Sequence, residues 1–209
     1  MKAFIFTGGE VNLKTIRELP QEGDLTIAAD AGLLSAKSLS IKPQILIGDF
    51  DSLGIPDANV ADEIIQLPAE KDDTDTQLAV KTALERGADE IVIIGGLSGR
   101  LDHTLSSIAI LEDLQTHHIR ARMTDGQNRI RFLRNDGVIL PRDSFRYLSL
   151  IAADPKVKGV SLDGCKYPLR KATLTRTHQY AISNEIVGNC ALIEIRRGGV
   201  WVVESNDPL

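Results

Sequence analysis

The residues of this sequence with the clearest capacity for chemistry are aspartates that follow short apolar runs. Asp outnumbers Glu by 18 to 11. Seven of the aspartates fall into short motifs, namely Asp30, Asp49, Asp51, Asp72, Asp73, Asp75 and Asp102. The apolar runs before them, at 25–29, 45–47, 64–65 and 91–94, are typical of buried strands. Because the carboxyl ends of parallel strands share one edge of a sheet, we expect these carboxylates to converge at that edge.

A cluster of carboxylates at one edge would repel itself unless it shares a cation. Aspartate offers hard oxygen ligands, and the sequence contains no cluster of histidine and cysteine, so the chemistry favours Mg²⁺ over zinc. Magnesium sites with few protein carboxylates complete their coordination with water and substrate phosphates. The acidic motifs therefore predict a magnesium-dependent site for a polyphosphate ligand.

The first predicted metal-binding motif is Asp49-Phe50-Asp51. An extended backbone would place both carboxylates on one face and the phenyl ring on the other, against the core. That spacing suits one metal ion held by two acids. The alternative is a turn rich in aspartate. The apolar run before the motif and Ser52 after it favour the metal site.

The second motif, Lys71-Asp72-Asp73-Thr74-Asp75, precedes the clearest helix pattern of the sequence, at 76–86. Asp72 and Asp75 are three residues apart at the start of this helix and can face the same way. The alternative is a helix cap, in which Thr74 or Asp75 accepts the first amide hydrogens. Capping explains one of the three acids but not all of them, so we interpret the motif as part of the site.

The third motif combines glycines with a fixed positive charge. Gly95, Gly96 and Gly99 would let backbone N–H groups approach phosphate oxygens closely. Arg100 has the planar donor fork that suits phosphate, and we interpret it as a phosphate clamp. Asp102 either belongs to the acidic cluster or caps the next helix. The neighbouring histidine is given no role, because a histidine at a helix start is more often structural.

Strand-like and helix-like stretches alternate through the first 124 residues, which predicts a parallel sheet covered by helices on both faces. The predicted strands are 2–7, 25–29, 44–47, 63–67, 90–94 and 119–123, and the predicted helices are 12–19, 33–39, 76–86 and 103–117. Farther on, short strands separated by turn signals are predicted at 129–133, 138–140, 147–151, 158–162, 191–195 and 200–204. We therefore predict a three-layer α/β domain over 1–124 and an all-β sandwich over 125–209.

Composition and charge exclude several classes of protein. The chain has 209 residues with a net charge of −5, made up of 11 bases and 20 acids (−9) in 1–124 and 13 bases and 9 acids (+4) in 125–209. This balance excludes a disordered chain and a strongly basic nucleic-acid-coating protein. Cys165 and Cys190 make no disulfide framework, and no apolar run approaches the roughly 18–20 residues of a membrane span. We expect a cytoplasmic protein with neither nucleic acid nor membrane as partner.

Taken in order, the motifs resemble those of the thiamin pyrophosphokinase family. The resemblance is carried by Ala29-Asp30-Ala31-Gly32, Gly48-Asp49-Phe50-Asp51-Ser52, Lys71-Asp72-Asp73-Thr74-Asp75, Gly99-Arg100-Leu101-Asp102-His103-Thr104, Lys166-Tyr167-Pro168-Leu169 and Ser183-Asn184-Glu185-Ile186. These motifs span nearly the whole chain, and their combination is far more specific than any one of them. The sequence departs from the commonest pattern of the family at Ala31, Ser98, Ser107 and Ile182, and these departures leave the acidic residues intact.

The resemblance implies a homodimer with active sites at the subunit interface, in which the pyrophosphoryl group of ATP is transferred to the hydroxyethyl group of thiamine. The implied products are thiamine diphosphate and AMP, and the implied cofactor is Mg²⁺. Matched by position, the metal ligands would be Asp49, Asp51 and Asp75, which together with Arg100 form the catalytic set. The residues along ATP would be Asp30, Asp72, Gly95, Gly96, Arg100 and Asp102, and those near thiamine would be Asn128, Ser183 and Asn184.

Other functions stay open at this point. A pyrophosphokinase that acts on a hydroxymethyl-pterin would share the acidic cluster and differ in its acceptor pocket. A phosphatase or glycosyltransferase can also use two closely spaced aspartates with Mg²⁺ or Mn²⁺. A phosphatase, however, would carry its nucleophilic aspartate after the first strand, where this chain has Thr7-Gly8-Gly9. A non-catalytic nucleotide-sensing dimer would bind ATP without releasing AMP.

Overall fold

The structure, a computed structural model, describes residues 1–50, 57, 59–68, 70 and 72–207. The chain divides into two compact units, Met1–Gly126 and Gln127–Leu209. In the described residues the first unit combines parallel strands with helices, and the second unit consists of antiparallel strands. The predicted class, an α/β domain followed by an all-β sandwich, is therefore confirmed.

Parallel strands form the centre of the first unit. They are β1 (Lys2–Phe6), β2 (Leu25–Ala29), β3 (Ile45–Gly48), β4 (Glu63–Gln66), β5 (Glu90–Ile94) and β6 (Arg120–Thr124). They lie in the order β4-β3-β2-β1-β5-β6. From β1 the chain first moves outward through β2, β3 and β4, and then returns to the other side of β1 with β5 and β6. This reversal makes the carboxyl ends of β1 and β5 a topological switch point, where open parallel sheets bind ligands.

Helices cover both faces of this sheet. They are α1 (Gly32–Ser38), α2 (Asp75–Glu85) and α3 (Leu101–Thr116). Leu33 and Ala36 of α1 pack against Phe4 and Phe6, which alternate along β1 and so face the same side. The helices α2 and α3 contact each other, and the buried residues of both lie outside that cluster. No described helix combines the length and the apolar character that crossing a membrane requires.

Gly32 explains how α1 can begin directly over the end of β1. A Cβ atom at this position would lie 2.0 Å from the carbonyl oxygen of Phe6, so any side chain would push the helix away from the strand. Close packing therefore requires Gly32, the glycine of the motif Ala29-Asp30-Ala31-Gly32. The close packing brings Ala31, the residue before the helix, to the carboxyl edge of the sheet.

The predicted helix at 12–19 is wrong, because the segment forms a single turn and then continues without regular structure. The amide of Asn12 donates to the carbonyl oxygen of Asp125 at 2.7 Å, and the carboxylate of Glu18 accepts from Arg122 Nε at 2.7 Å. A helix of only eight residues gains little stability by itself. These tertiary bonds therefore decide the conformation of the segment.

The second unit contains antiparallel strands in two groups. The strands are β7 (Asn128–Arg134), β8 (Gly137–Pro141), β9 (Tyr147–Ala152), β10 (Lys156–Asp163), β11 (Leu169–Thr175), β12 (Cys190–Arg197) and β13 (Gly199–Ser205). One group pairs in the order β7-β13-β9 and the other in the order β11-β10-β12-β8. Leu148, Leu150 and Val202 from the first group share one core with Val160 and Ile193 from the second. Two sheets with a common core form the predicted sandwich.

Strand β11 is not among the strands predicted from the sequence. It lies at the edge of its sheet, four of its seven residues are polar, and only Leu174 is buried. Its register with β10 shifts twice, and Lys171 within it has a left-handed backbone with φ of 48°. Such irregularities interrupt the strict alternation of apolar and polar residues on which strand prediction depends.

Candidate active site

A cleft of about 400 Å³ opens at the switch point between β1 and β5. Its walls come from the segments that follow β1, β2 and β5 and from the starts of α2 and α3. The lining residues are Thr7, Gly8, Gly9, Ala29, Asp30, Ala31, Thr74, Asp75, Thr76, Gly96, Ser98, Gly99, Arg100, His103 and Ser107. Among the described residues, the lining lies wholly within the first unit and presents both polar and apolar surface.

Two aspartates from separate elements border this cleft. Asp30 directly follows β2, and its amide donates a hydrogen bond of 2.7 Å to the carbonyl oxygen of Ile47. The backbone of Asp30 is left-handed, with φ of 43°, a conformation that aspartate tolerates better than most residues. Asp75 is the first residue of α2. The structure thus brings together two carboxylates that are 45 positions apart in the chain.

A capping box sets the start of α2 beside the cleft. The hydroxyl of Thr74 accepts the amide hydrogen of Gln77 at 3.2 Å, and the side-chain oxygen of Gln77 accepts the amide hydrogen of Thr74 at 2.8 Å. Thr74 is therefore the cap of the helix. Capping does not account for Asp75, whose carboxylate lies at the positive end of the helix dipole.

Arg100, directly before α3, and His103 and Ser107 of α3 also line the cleft. Arg100 forms a two-pronged ion pair with Asp102, with Nη2–Oδ2 at 2.6 Å and Nε–Oδ1 at 3.2 Å. The hydrogen bonds from Arg100 lower the pKa of the Asp102 carboxyl and keep it ionised. The pair occupies two of the five N–H donors of the guanidinium, so three remain for an anion. Asp102 serves here as the partner of Arg100 and does not line the cleft.

Gly95 and Gly96, which follow β5, are needed for a different structural reason than the one predicted from the sequence. The amide of Gly95 donates to the carbonyl oxygen of Thr124 at 2.8 Å, and that of Gly96 donates to the carbonyl oxygen of Gly8 at 2.9 Å. The prediction that these amides face phosphate oxygens is therefore wrong. A Cβ on Gly95 would lie 2.5 Å from the carbonyl oxygen of Thr7, so the glycine allows two strand ends to meet. Gly96 still lines the cleft, whereas Gly95 is not among the lining residues.

The motif after β3 is described only in part, because Asp51 lies outside the described residues. Asp49 is half-buried, and a Cβ on Gly48 before it would lie 3.3 Å from the Cβ of Asp30. Phe50 is buried in the core, but its backbone is left-handed with φ of 60°, so the extended conformation predicted for this motif is wrong. A bulky residue in that conformation is strained, and such strain is common at functional sites.

The seven motif aspartates do not form one cluster in the part of the chain that the structure describes. Asp73 forms an ion pair with Lys81, with Nζ–Oδ2 at 2.5 Å, and Asp72 is exposed outside the cleft. Among the described residues, no three acidic, histidine or cysteine side chains come together as a metal site. The expectation that all these carboxylates converge is therefore wrong. Repulsion among them is avoided because several have partners or positions elsewhere.

The donor set of the cleft nevertheless fits Mg²⁺. Asp30 and Asp75 offer hard carboxylate oxygens, and Asp49 directly follows β3, the strand that pairs with β2. The described lining contains hydroxyl groups and one imidazole but no sulfur ligand. Because Mg²⁺ keeps several water or phosphate ligands, two or three protein carboxylates are enough to hold it.

In the second unit, Asn184 joins two of the sequence motifs. This residue is buried, and its Oδ1 accepts the amide hydrogens of Tyr167 at 3.0 Å and Glu185 at 2.9 Å. Its Nδ2 donates to the carbonyl oxygen of Tyr167 at 2.7 Å. Ser183 beside it is exposed and has a left-handed backbone with φ of 55°. Asn184 thus positions this part of the chain, and the thiamine contacts of Asn184, Ser183 and Asn128, at the start of β7, stay predictions.

Several cleft residues are missed by reasoning from the sequence. Thr7 directly follows β1, so its position at the predicted edge was an available signal. His103 is the first residue of the predicted helix 103–117 and lies three residues after Arg100, a spacing that brings side chains to one side of a helix. Ser98 accepts the amide hydrogen of Glu10 at 2.7 Å and so ties together the segments after β1 and β5. Three of the positions that depart from the commonest motif pattern line the cleft, namely Ala31, Ser98 and Ser107.

Two family models match this chain in succession. The model described as thiamin pyrophosphokinase, catalytic domain, matches residues 16–123. The model described as thiamin pyrophosphokinase, vitamin B1 binding domain, matches residues 136–200. The first match includes the segments after β2 and β5 and the starts of α2 and α3, which supply most of the cleft.

The similarity to individual proteins extends over the whole chain. A thiamine pyrophosphokinase of Bacillus subtilis (strain 168) is 32% identical over 211 residues, which cover 97% of this chain and 98% of that one. The crystal structure of thiamine pyrophosphokinase from Bacillus subtilis superimposes with a TM-score of 0.88 at 28% identity, with 100% of both chains covered. The thiamin pyrophosphokinase structure from Geobacillus thermodenitrificans gives 0.83 at 26% identity, with 99% and 98% covered. On these matches, the chain belongs to the thiamin pyrophosphokinase family.

Proposed function

We propose that this chain transfers the pyrophosphoryl group of ATP to the hydroxyethyl oxygen of thiamine. A bond forms between that oxygen and the β-phosphorus of ATP, and the bond from the β-phosphorus to the α,β-bridging oxygen breaks. The hydroxyl proton is released, and the products are thiamine diphosphate and AMP. Transfers of this kind depend mainly on positioning and on neutralising phosphate charge, and little covalent work falls to the protein.

One observation carries this proposal, namely the succession of the two matched domain models along a chain that aligns from end to end with a thiamine pyrophosphokinase. The match to a vitamin B1 binding domain favours thiamine over a pterin as acceptor. No comparable observation favours the phosphatase, the glycosyltransferase or the non-catalytic nucleotide sensor.

The proposed ATP site is the cleft at the switch point. Arg100 stands on its rim with three guanidinium N–H donors beyond those that bind Asp102, and it would orient and neutralise a phosphate. Gly8 and Gly9 carry no side chain, so a phosphate can approach the backbone there closely. Asp102 would hold the guanidinium in place for this contact.

We further propose Mg²⁺ as the cofactor, held by Asp49, Asp51 and Asp75. When bound, Mg²⁺ neutralises the phosphate charge that develops during transfer. Asp30 and Asp75 line the same cleft and by themselves repel a triphosphate. We therefore expect ATP binding to be weak without the metal.

We propose that the two units bind different substrates. Residues 1–124 would bind ATP and Mg²⁺, and residues 125–209 would bind thiamine through Ser183 and Asn128 and would form a cytoplasmic homodimer. Asn184 would act by holding Ser183 and Tyr167 in place. Sedimentation equilibrium tests the dimer, for which we expect twice the mass of the chain.

The decisive experiment measures AMP and thiamine diphosphate after incubation of the protein with ATP and Mg²⁺, with and without thiamine. We expect equimolar AMP and thiamine diphosphate that depend on thiamine, vanish with excess EDTA and return with added Mg²⁺. Hydroxymethyl-dihydropterin serves as the control acceptor. AMP release with the pterin alone would favour a pterin kinase, and ATP binding without AMP release would favour a nucleotide sensor.

A further inference from the structure

Two threonine hydroxyls meet at the floor of the cleft. Oγ1 of Thr7, at the end of β1, lies 3.0 Å from Oγ1 of Thr76, in the first turn of α2. The two residues are 7% and 8% exposed, and both line the cleft. The contact joins the sheet to the helix that carries Asp75, although the two threonines are 69 positions apart.

One of the two hydroxyl hydrogens of this pair takes no part in the bond between the threonines. Each hydroxyl carries one hydrogen, and only one of the two can lie between the oxygens. Within the part of the chain that the structure describes, the side chains of Thr7 and Thr76 bond to nothing but each other. One buried hydroxyl hydrogen therefore has no acceptor from the described chain, and burying such a group is costly unless a ligand satisfies it.

The neighbours of the pair indicate what that ligand is. A Cβ on Gly96 would lie 3.2 Å from the methyl group of Thr7, so this glycine lets the loop pack on the methyl side and leaves the hydroxyl turned toward Thr76. The pair lies at the amino-terminal end of α2, a helix of 11 residues whose dipole favours an anion. Arg100 lines the same cleft and adds positive charge. A donor in such surroundings suits an anionic oxygen.

We propose that the Thr7–Thr76 pair donates a hydrogen bond to a phosphoryl oxygen of the nucleotide. The inference rests on the proposed function only in placing ATP in this cleft. The pair also links the end of β1 to α2. The contact between the two threonines therefore positions the start of the helix and also orients the hydroxyl that binds the phosphate. Either threonine can supply the donor, since the direction of the hydrogen bond inside the pair can reverse.

The test compares the double variant Thr7→Val/Thr76→Val with Thr7→Ser/Thr76→Ser. Valine has the shape of threonine and lacks the hydroxyl, whereas serine keeps the hydroxyl. Calorimetric titration with ATP and Mg²⁺ should show about 10- to 100-fold weaker binding for the valine variant, the loss expected for a hydrogen bond to a charged group. The serine variant should bind within about threefold of the unchanged chain, since its hydrogen bond is retained.

Adenosine, which has no phosphate, separates a phosphate contact from a general distortion of the cleft. Ligand-observed NMR should give the same adenosine affinity for all these variants. Thr26→Val is a matched control, because Thr26 is equally buried and its hydroxyl accepts a hydrogen bond from Gln44, but it lies in β2 outside the cleft. This control should leave ATP affinity unchanged.

Three results would overturn the proposal: unchanged ATP affinity in the valine variant, equal losses of ATP and adenosine affinity, or failure of the serine variant to restore binding. If the double valine variant does not fold, Thr7→Ala/Thr76→Ala, which also lacks both hydroxyls, is measured by the same criteria. Because all readouts are binding, they stand even if thiamine-dependent AMP release is absent. A failure of the proposed function is thus distinguished from a failure of this inference.

Discussion

Two aspartates of one motif, Asp73 and Asp75, show how strongly the role of a residue depends on its surroundings. Asp75 opens α2 and lines the cleft, whereas Asp73, two positions earlier, pairs with Lys81 outside it. Both belong to the same short run of acids, and by residue type alone either of them could bind a metal ion. The cleft distinguishes them, because only one of the two borders it.

This difference predicts the outcome of a pair of matched substitutions. Asp75→Asn keeps the shape of the side chain but removes the charge, and we expect it to lower thiamine-dependent turnover at least about 100-fold, as loss of a preorganised electrostatic group does. Asp73→Asn should keep turnover within about twofold. Both variants are assayed for AMP release at saturating Mg²⁺, and thermal unfolding confirms that both are folded.

Asp49→Asn extends the test to the strand next to Asp30. It should lower turnover to a similar degree and leave the unfolding temperature nearly unchanged, because Asp49 lies at the end of β3 and outside the core. Near-normal turnover of both Asp49→Asn and Asp75→Asn at saturating Mg²⁺ would rule out the proposed metal ligands.

The two cysteines differ in reactivity for a physical reason. Burial, aided by the charge of Asp163, raises the pKa of the Cys165 thiol to about 11, so almost none of it is thiolate near neutral pH. Cys190 is exposed. We expect a maleimide reagent at pH 7 to label the native chain once, at Cys190, as located by peptide mass spectrometry. Rapid labelling of Cys165 before unfolding would contradict this expectation, and Cys190→Ser should abolish the native labelling.

Among the elements, the segments around Tyr167 and Asn184 are joined by one buried side chain, that of Asn184, in addition to backbone bonds. The amide group of Asn184 makes three hydrogen bonds, two of them with the backbone of Tyr167, and the backbones of Asn184 and Leu148 also bond to each other. These bonds hold the exposed Ser183 in its left-handed conformation between β11 and β12. The segment is therefore positioned by the buried side chain of Asn184 together with backbone bonds to neighbouring segments.

Asn184→Ala should consequently destabilise the chain by about 2–3 kcal/mol, since it leaves the amide and carbonyl of Tyr167 without partners in a partly buried place. Urea unfolding followed by fluorescence measures the change. Asn189→Ala is the control, because Asn189 is exposed on the same segment, and we expect it to cost less than about 0.5 kcal/mol. Equal effects of the two substitutions would refute the positioning role.

The elements that could be predicted from the sequence are those whose burial is regular. The strand of residues 25–29 is apolar except for Thr26 and is buried throughout, so its composition alone indicated a central strand. The edge strand Leu169–Thr175 and the irregular segment at 12–19 could not be predicted, because their conformations depend on neighbours distant in sequence. Local patterns contain no information about those neighbours.

At the scale of the whole molecule, charge is balanced by pairing across distant parts of the chain. In the first unit, Arg122 binds both Glu18 and Glu90, and Lys2 also binds Glu18. Glu18 is 104 positions from Arg122, so this network closes a long loop between the segment after β1 and strand β6. The acidity of the first 124 residues thus reflects structural pairs as well as the cleft.

This network predicts how stability depends on pH. Burial by itself raises the pKa of Glu18, but the hydrogen bonds from Arg122 and Lys2 outweigh it and lower the pKa from 4.5 to about 2. A pKa lowered by folding means that the unfolded chain binds the proton more readily. The stabilisation is therefore complete above about pH 4.5 and is lost as the pH falls toward 2.

Glu18→Gln should lower the free energy of unfolding by about 1–3 kcal/mol at pH 7 and flatten its decline between pH 5 and about 2, because the titrating group is gone. Urea unfolding at a series of pH values measures both effects. Glu22→Gln is the control, since Glu22 is exposed in the same connection and should leave the pH profile unchanged. A parallel decline in Glu18→Gln and the unchanged chain would exclude Glu18 as its source.

The sequence by itself determined the two fold classes, the succession of motifs and the family, because burial periodicity and motif spacing are properties of short stretches. Only the tertiary structure decided which motif residues share a cleft. Asp30 and Asp75 line the same cleft because the order of the strands reverses at β1. Asp102 binds Arg100 instead, and the amides of Gly95 and Gly96 bond to the backbone. The pairing of Thr7 with Thr76 was likewise decided by the fold, since no local pattern relates residues so far apart in the sequence.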